Sequence, residues 1–301
     1  MSEFITSLQG TEAGHQLALV LALFAAVLHA VFGALQKGRH DPWLTRGAID
    51  LNYGLMAAPF ALFVVPWPEP HMWVIFGWVF VIHVGYKLFQ GQTYMLGGYT
   101  VVYPVVRGMG PFFTVIGAGY LFGESFTPMQ WAGVGVLMAG ILGLAVYNII
   151  FMDVDRRKLV KALGMAVITG GFVALYTTYD AYGIRATADP FTFLAWFFMI
   201  DGLLFMPWFA LIRWRGMAER PPVWPLLKRG WVGAVIAFLS FGSVMLATRL
   251  DKVGEAAVLR ETSVLFAAAI GWIFLNEKIG PRRLTLMAMI AAGAVLVEMG
   301  G

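Results

Sequence analysis

Two stretches of this sequence are one pattern written twice. Residues 97–124 read GGYTVVYPVVRGMGPFFTVIGAGYLFGE and residues 253–277 read VGEAAVLRETSVLFAAAIGWIFLNE. Each is an apolar run that holds one arginine and closes on a glutamate. The register is fixed: Arg260 follows Arg107 by 153 positions, and the same 153 separates Glu277 from Glu124, Pro281 from Pro128 and Gly293 from Gly140. In a chain of 301 residues that offset is close to half the length. An internal duplication on this scale constrains the fold more than any single motif, and it directs the search for a site to where the copies meet.

Composition decides what kind of fold is duplicated. The chain is 59% hydrophobic and 13% charged, with a mean hydropathy of +0.75. Soluble domains run at roughly 45–50% apolar and about 25% charged. A soluble protein of this size could not hide so much apolar surface, so the expected class is an all-α polytopic membrane protein. There is no cysteine, which excludes disulfides and thiolate metal sites. The opening MSEFITSLQGTEAGHQ has two Glu and no Lys or Arg. It lacks the basic flank of a cleaved signal peptide, so the first apolar run is expected to be a retained helix.

A span needs about 20 mostly apolar residues. Ten transmembrane helices are predicted: Gln16–Gln36, Leu44–Val65, His71–Met95, Tyr99–Phe122, Pro128–Asn148, Val160–Tyr182, Pro190–Ile212, Leu226–Thr248, Gly254–Asn276 and Pro281–Glu298. Pro128 and Pro281 open helices, where a missing N–H costs nothing. The loops after odd-numbered spans share one side. Of the 21 Lys and Arg, 15 fall there, in groups around Arg46, Arg156, Arg213 and Arg282. Only Arg185, Arg249 and Lys252 fall opposite, and Lys87, Arg107 and Arg260 lie within spans. Positive loops stay in the cytoplasm, so both termini are expected on the non-cytoplasmic side. The pI near 9.3 then reflects topology, and no nucleic-acid partner is expected. Five spans per copy is an odd number. The second unit, 151–301, should therefore sit inverted relative to the first, 1–150, giving two inverted five-helix repeats. Arg107 lies about eight residues into its helix and Arg260 about six, or on the order of 9–12 Å at 1.5 Å per residue. The two should approach the midplane from opposite faces.

At YPVVRGMGP (Tyr103–Pro111), at VLRETSVLF (Val258–Phe266) and in the helix endings LFGE and FLNE, the chain resembles the drug/metabolite transporter superfamily, and within it the EamA-type transporters. The likeness covers nearly the whole length. It implies a bacterial inner-membrane secondary transporter, often an exporter of amino acids or related metabolites, with a central cavity formed by both halves. The chain departs from the commoner family pattern by carrying Arg in both helices, where many members have small or hydroxyl residues. That departure argues against a generic neutral or cationic substrate.

An arginine inside a span is costly, by roughly 2.5–3.5 kcal/mol on insertion scales. Arg107 and Arg260 could hold one carboxylate or phosphate with their forks of N–H donors; the bland alternative is a permanent pair with an acid such as Glu261 or Asp201. Glu261 adjoins Arg260, so on a helix the two diverge by about 100°; it suits a substrate amine, a coupling proton or an internal counter-ion. His83 and Lys87 are four apart and share a helix face, and with Tyr103 and Asp201 they complete the expected substrate-binding set. Asp50 and His29 are candidates for proton coupling, though His29 reads first as a packing residue. Glu124 and Glu277 stand at span ends, where a capping or gating hydrogen bond is the expected role. Asp180 reads as interfacial, and Gln90 and Tyr94 as wall residues. Gly135, Ala139 and Gly143, echoed by Ala288 and Ala292, have the spacing of a close helix contact, between halves or in a homodimer.

Other classes fit less well. Membrane enzymes on lipid-linked substrates usually show clustered His or Asp-rich metal segments. Here the five His, at 15, 29, 40, 71 and 83, are scattered, so no catalytic residue, metal or cofactor is expected. An anion channel wants a ring of like charge, and two Arg make a thin one. No Walker-type loop is present, so gradients or exchange must drive transport. The expected partners are a small-molecule substrate, the bilayer and a coupling proton. The competing reading within the superfamily is a multidrug or cationic-compound transporter.

Overall fold

The computed structural model describes residues 2–36, 41–96, 99–151, 156–275 and 280–301. Among them there are thirteen helices and no strand. They are α1 (Ser2–Leu8), α2 (Glu12–Gln36), α3 (Pro42–Phe63), α4 (Met72–Leu96), α5 (Tyr99–Phe122), α6 (Pro128–Phe151), α7 (Arg156–Ala186), α8 (Pro190–Leu203), α9 (Met206–Arg215), α10 (Val223–Leu250), α11 (Val253–Arg260), α12 (Ser263–Leu275) and α13 (Pro281–Met299).

The starts follow local chemistry. Asp41 Oδ1 accepts from the N–H of Trp43 and Leu44 at 2.9 and 3.3 Å, with Pro42 opening α3. Asp189 does the same for α8 ahead of Pro190. Thr127 and Gln130 form a reciprocal capping box at the head of α6: Gln130 N donates to Thr127 Oγ1 at 3.2 Å, and Thr127 N to Gln130 Oε1 at 3.0 Å.

Among the described residues seven helical segments are long and apolar enough to cross a membrane: Glu12–Phe32, Met72–Leu96, Val105–Phe122, Pro128–Tyr147, Leu159–Ala186, Pro190–Arg215 and Val223–Leu250. The other predicted spans differ for visible reasons. Helix α3 carries Arg46, Asp50 and Asn52, and the apolar part of α13 is only Leu284–Met299. The span predicted as continuous from Gly254 to Asn276 is instead two helices, α11 and α12. At the break the ladder tightens to i→i+3 bonds, Glu261 N to Val258 O at 3.0 Å and Thr262 N to Leu259 O at 3.1 Å. The Thr262 hydroxyl adds a bond to Leu259 O at 2.7 Å, a side chain competing with the helix for its own carbonyl. The span predicted over Pro190–Ile212 is also broken, between α8 and α9. Pro207 cannot continue the ladder to Leu203 O, and the indole N–H of Trp208 takes that carbonyl at 3.0 Å. A short α1, unforeseen from sequence, precedes the first span.

Polarity is inside out. Large apolar side chains cover the surface, among them Phe63, Trp78, Tyr120, Ile150 and Trp224, while Asp50, Lys87, Arg107, Asp180, Asp201, Arg260 and Glu261 are buried. A lipid-facing bundle permits that reversal and water does not. Both chain ends lie at one end of the bundle, since His15 Nε2 reaches Glu298 Oε1 at 3.3 Å. The α3–α4, α5–α6, α7–α8 and α10–α11 connections meet each other at that same end: Glu69 binds Ala188 N, Ser2 binds Asp189, and Glu124 binds Val253 N.

The halves 1–150 and 151–301 do not form separate cores. Helices of one pack against helices of the other, as α6 on α13, α5 and α4 on α7, α2 on α10 and α3 on α8. The α6–α13 contact runs at backbone distance: a Cβ on Gly293 would stand 2.6 Å from Gly133 O, and one on Gly140 2.8 Å from Leu286 O. The predicted small-residue stripe does not make this contact between halves. Gly135, Ala139, Ala288 and Ala292 face outward, and of that set only Gly143 touches the partner helix, at Leu286.

Candidate functional site

Two buried groups of charge lie inside the bundle. The first joins α3, α4, α7 and α8. Lys87 of α4 sits between two carboxylates, its Nζ 2.6 Å from Asp50 Oδ2 and 2.7 Å from Asp201 Oδ1. It also donates to Asp201 O at 3.1 Å and Tyr53 OH at 3.3 Å. The other oxygen of Asp50 takes Arg46 Nε at 2.7 Å, and the Tyr53 hydroxyl donates to Asp201 Oδ2. His83, one turn before Lys87, points Nε2 at the Asp180 carboxylate at 2.9 and 3.2 Å. Its Nδ1 lies 3.7 Å from Asp201 Oδ1.

Glycine makes this convergence possible. A Cβ on Gly202 would stand 2.6 Å from Asp50 O and 2.8 Å from Gly54 N. The end of α8 can therefore press its backbone onto α3, which brings Asp201 beside Asp50. The aromatic rings of Tyr86, Tyr176 and Phe197 surround His83 at centroid distances of 6.5, 5.0 and 5.0 Å.

The second group lies between α5 and the α11–α12 break. Arg107 Nε is 2.7 Å from Glu261 Oε2, and Arg107 Nη2 donates to Ser263 Oγ at 3.1 Å. Arg260 Nε is 3.7 Å from Glu261 Oε1. The break turns the chain so that neighbours in sequence, expected to diverge, share a pairing. Two guanidinium groups thus face one carboxylate, a local excess of one positive charge. Arg260 Nη2 is buried without a hydrogen-bond partner among the described residues, and so is the hydroxyl of Thr177. Both line one small cavity with Asp180, Tyr176, Phe241 and Thr248. A second cavity, also walled by Phe241, is lined by Arg46, Tyr53, His83 and Asp201. Each has about 10 Å³ for water-sized spheres, room for roughly one water. Neither cavity is wide enough for an organic solute.

Arg107, Arg260 and Glu261 come together, and so do His83, Lys87, Asp50 and Asp201. Asp180, read as interfacial, is 3% exposed and bonded to His83 instead. Burial alone separates the two roles, and the sequence does not show it. Asp201 pairs with Lys87, not with either spanning Arg. His29 packs against Phe32 and Phe241, with centroids 6.2 and 6.0 Å away. Glu124 caps α11, accepting from Val253 N at 2.8 Å and Gly254 N at 3.1 Å, with Arg185 Nη2 at 3.5 Å. Gln90 donates to Tyr86 OH at 2.5 Å. Tyr94 packs against an apolar cluster of α4, α5 and α7. The side chain of Tyr103 and the whole of Glu277 lie outside the described residues. Sequence reasoning missed Arg46, Tyr53, Ser263 and Thr177. Arg46 was assigned to a cytoplasmic loop, although its i,i+4 spacing to Asp50 was a usable signal.

Among the described residues one group has metal-like spacing, His15, Asp251 and Glu255, at the end holding both termini. Lys252 Nζ and Gln130 Nε2 already sit 2.8 and 2.6 Å from Glu255 Oε1. A resident ammonium and an amide donor fit an ion-pair network better than a cation site.

An all-helical bundle with seven lipid-length segments and its charges inside is an integral membrane protein. Residues 160–299 match the EamA-like transporter family, which belongs to the drug/metabolite transporter superfamily. The resemblance read from the sequence is thus borne out. No curated protein matches the chain. A solved crystal structure of another protein shares the fold, with a TM-score of 0.74 and 16% identity over 94% of this chain and 98% of the other.

Proposed function

We propose that this protein is a secondary transporter of small organic solutes bearing a carboxylate or phosph(on)ate group, such as amino acids or organic anions. It works by alternating access, with ten spans forming two inverted five-helix repeats in a bacterial inner membrane. Export is the direction the family resemblance suggests. The membrane-transporter family supports the class. The 153-residue offset and the grouping of alternate connections at one end support the inversion.

The observation that carries the solute class is Arg260. Its guanidinium stands at an interrupted helix, in a cavity wall, where two arginines share one carboxylate. A buried cation with spare donors stabilises a visiting anion. Broken helices near the middle of a bundle are where transporters build such sites. The cavity has room for roughly one water, so solute entry requires α11 to move away from α5 or α7.

The test is solute counterflow in proteoliposomes, after a thermal-shift screen with carboxylates, phosphonates, amino acids and quaternary amines. Arg260→Gln should cut flux at least tenfold while the protein still purifies as a folded monodisperse species. Wild-type flux in that variant, or stabilisation by quaternary amines alone, would refute the anion reading.

A further inference from the structure

We propose that His83 is a proton site linked to the anion site at Arg260 through Asp180, so that binding an anion draws one proton into the bundle. The inference rests on the transport reading above and adds to it a coupling ion and its seat.

The argument begins with the ring. Both imidazole nitrogens face carboxylates: Nε2 faces Asp180 of α7 at 2.9 Å and Nδ1 faces Asp201 of α8 at 3.7 Å. A neutral imidazole has one N–H and serves one of them, whereas an imidazolium serves both. Next comes the charge around it. Fixed cations are Arg46 on α3 and Lys87 on α4. The acids are Asp50 on α3, Asp180 on α7 and Asp201 on α8. Tyr53, Tyr86 and Tyr176 complete the polar groups facing this space. Three carboxylates stand against two fixed cations, so one negative charge is left over, and His83 is the group whose protonation cancels it.

That surplus has a counterpart. Arg107 on α5 and Arg260 on α11 against Glu261 leave one positive charge over. The two groups together are therefore neutral when His83 is neutral. Asp180 is the hinge of the arrangement, bonded to His83 on one side and lining the Arg260 cavity on the other. An anion held by Arg260 neutralises the positive surplus, and the negative surplus then belongs to His83. Proton and anion favour each other's binding, and by linkage the effect is reciprocal. Moving together, they make a monoanion's passage electroneutral.

The experiment needs no identified solute. The ¹⁵N spectrum of histidine-labelled protein in detergent reports the second N–H of His83, assigned by its loss in His83→Gln. Arg260→Gln removes one positive charge, as a bound anion would. It should raise the pH at which His83 gains its second proton by about one unit. Glu261→Gln adds one positive charge net and should lower that pH by a similar amount. If one variant fails to fold, the other still decides by the sign of its shift. An unchanged midpoint in either folded variant overturns the inference. Counterflow failing for every carboxylate would sink the transport reading alone and leave these shifts in place. Carboxylate flux with no accompanying pH change inside the vesicles would sink this proposal alone.

Discussion

Removing the amine of Lys87 should be among the most destabilising single changes in this protein. Its side chain is 1% exposed and lies 2.6 Å from one carboxylate and 2.7 Å from another. In Lys87→Met, Arg46 still holds Asp50, but Asp201 keeps only the Tyr53 hydroxyl and the edge of His83. Breaking a buried pair by deleting one partner costs about 3–5 kcal/mol, because the other charge is left uncompensated. Lys87→Met combined with Asp201→Asn removes both. What is then lost is on the order of one or two buried hydrogen bonds, about 1–2 kcal/mol. Asp201→Asn alone leaves Lys87 on Asp50 and should cost about 1–2 kcal/mol, so the double-mutant cycle should show a coupling of about 3–5 kcal/mol. Reversible unfolding in mixed micelles, with Asp201→Asn as the fourth corner, measures it. If the two changes add to within about 0.5 kcal/mol, Lys87 does not sit between the acids and the charge balance drawn around His83 fails with it.

Four further outcomes are expected. Gly293→Ala, whose new methyl meets Leu137 N and Gly133 O at 2.5 and 2.6 Å, should cost about 1–3 kcal/mol. Gly135→Ala, with nothing within 4 Å, should be neutral or stabilising by up to about 1 kcal/mol in the same unfolding assay. Glu124→Ala removes the cap of α11 and the partner of Arg185, and should cost about 1–2 kcal/mol, with faster amide exchange at Val253 and Gly254. Glu69 lies in the α3–α4 connection. Burial pushes its carboxyl up, but bonds from Ala188 N and the Thr187 hydroxyl, with His71 nearby, hold it below its ordinary value near 4.5. A depressed carboxylate stabilises above its unfolded value and loses that contribution as pH falls through the folded one. The stability gap between wild type and Glu69→Gln should thus be constant above about pH 5 and close on acidification below 4.5; a gap that widens in acid would contradict the bonding.

Much of the fold was legible because membranes restrict the alternatives. Hydropathy located the helical segments, and Pro128 and Pro281 marked two helix starts correctly. The pair Gly140 and Gly293, picked out only by a shared offset, falls on one α6–α13 seam. The breaks were hidden because Glu261, Thr262 and Ser263 interrupt a run that is otherwise uniformly apolar. Deciding that they end a helix requires knowing that Arg107 and the i→i+3 bonds will hold them there. The site was half legible. Charges inside spans announced themselves, but their partners did not. Arg46 and Asp180 lie near helix ends, where a sequence cannot distinguish a wet residue from one covered by another helix. Lys87 and Asp201 are 114 positions apart, and the packing of α8 on α3 and α4 brings them together.

The seam between α6 and α13 bears on how the protein moves. Two helices touching main chain to main chain cannot slide without atoms colliding, and neither carries a member of the buried charge groups. In the alternating-access cycle proposed above they would serve as a stator, with the interrupted α11–α12 as the part that swings. Spin labels on the outward-facing positions 135 and 292 should keep one narrow distance through the whole cycle.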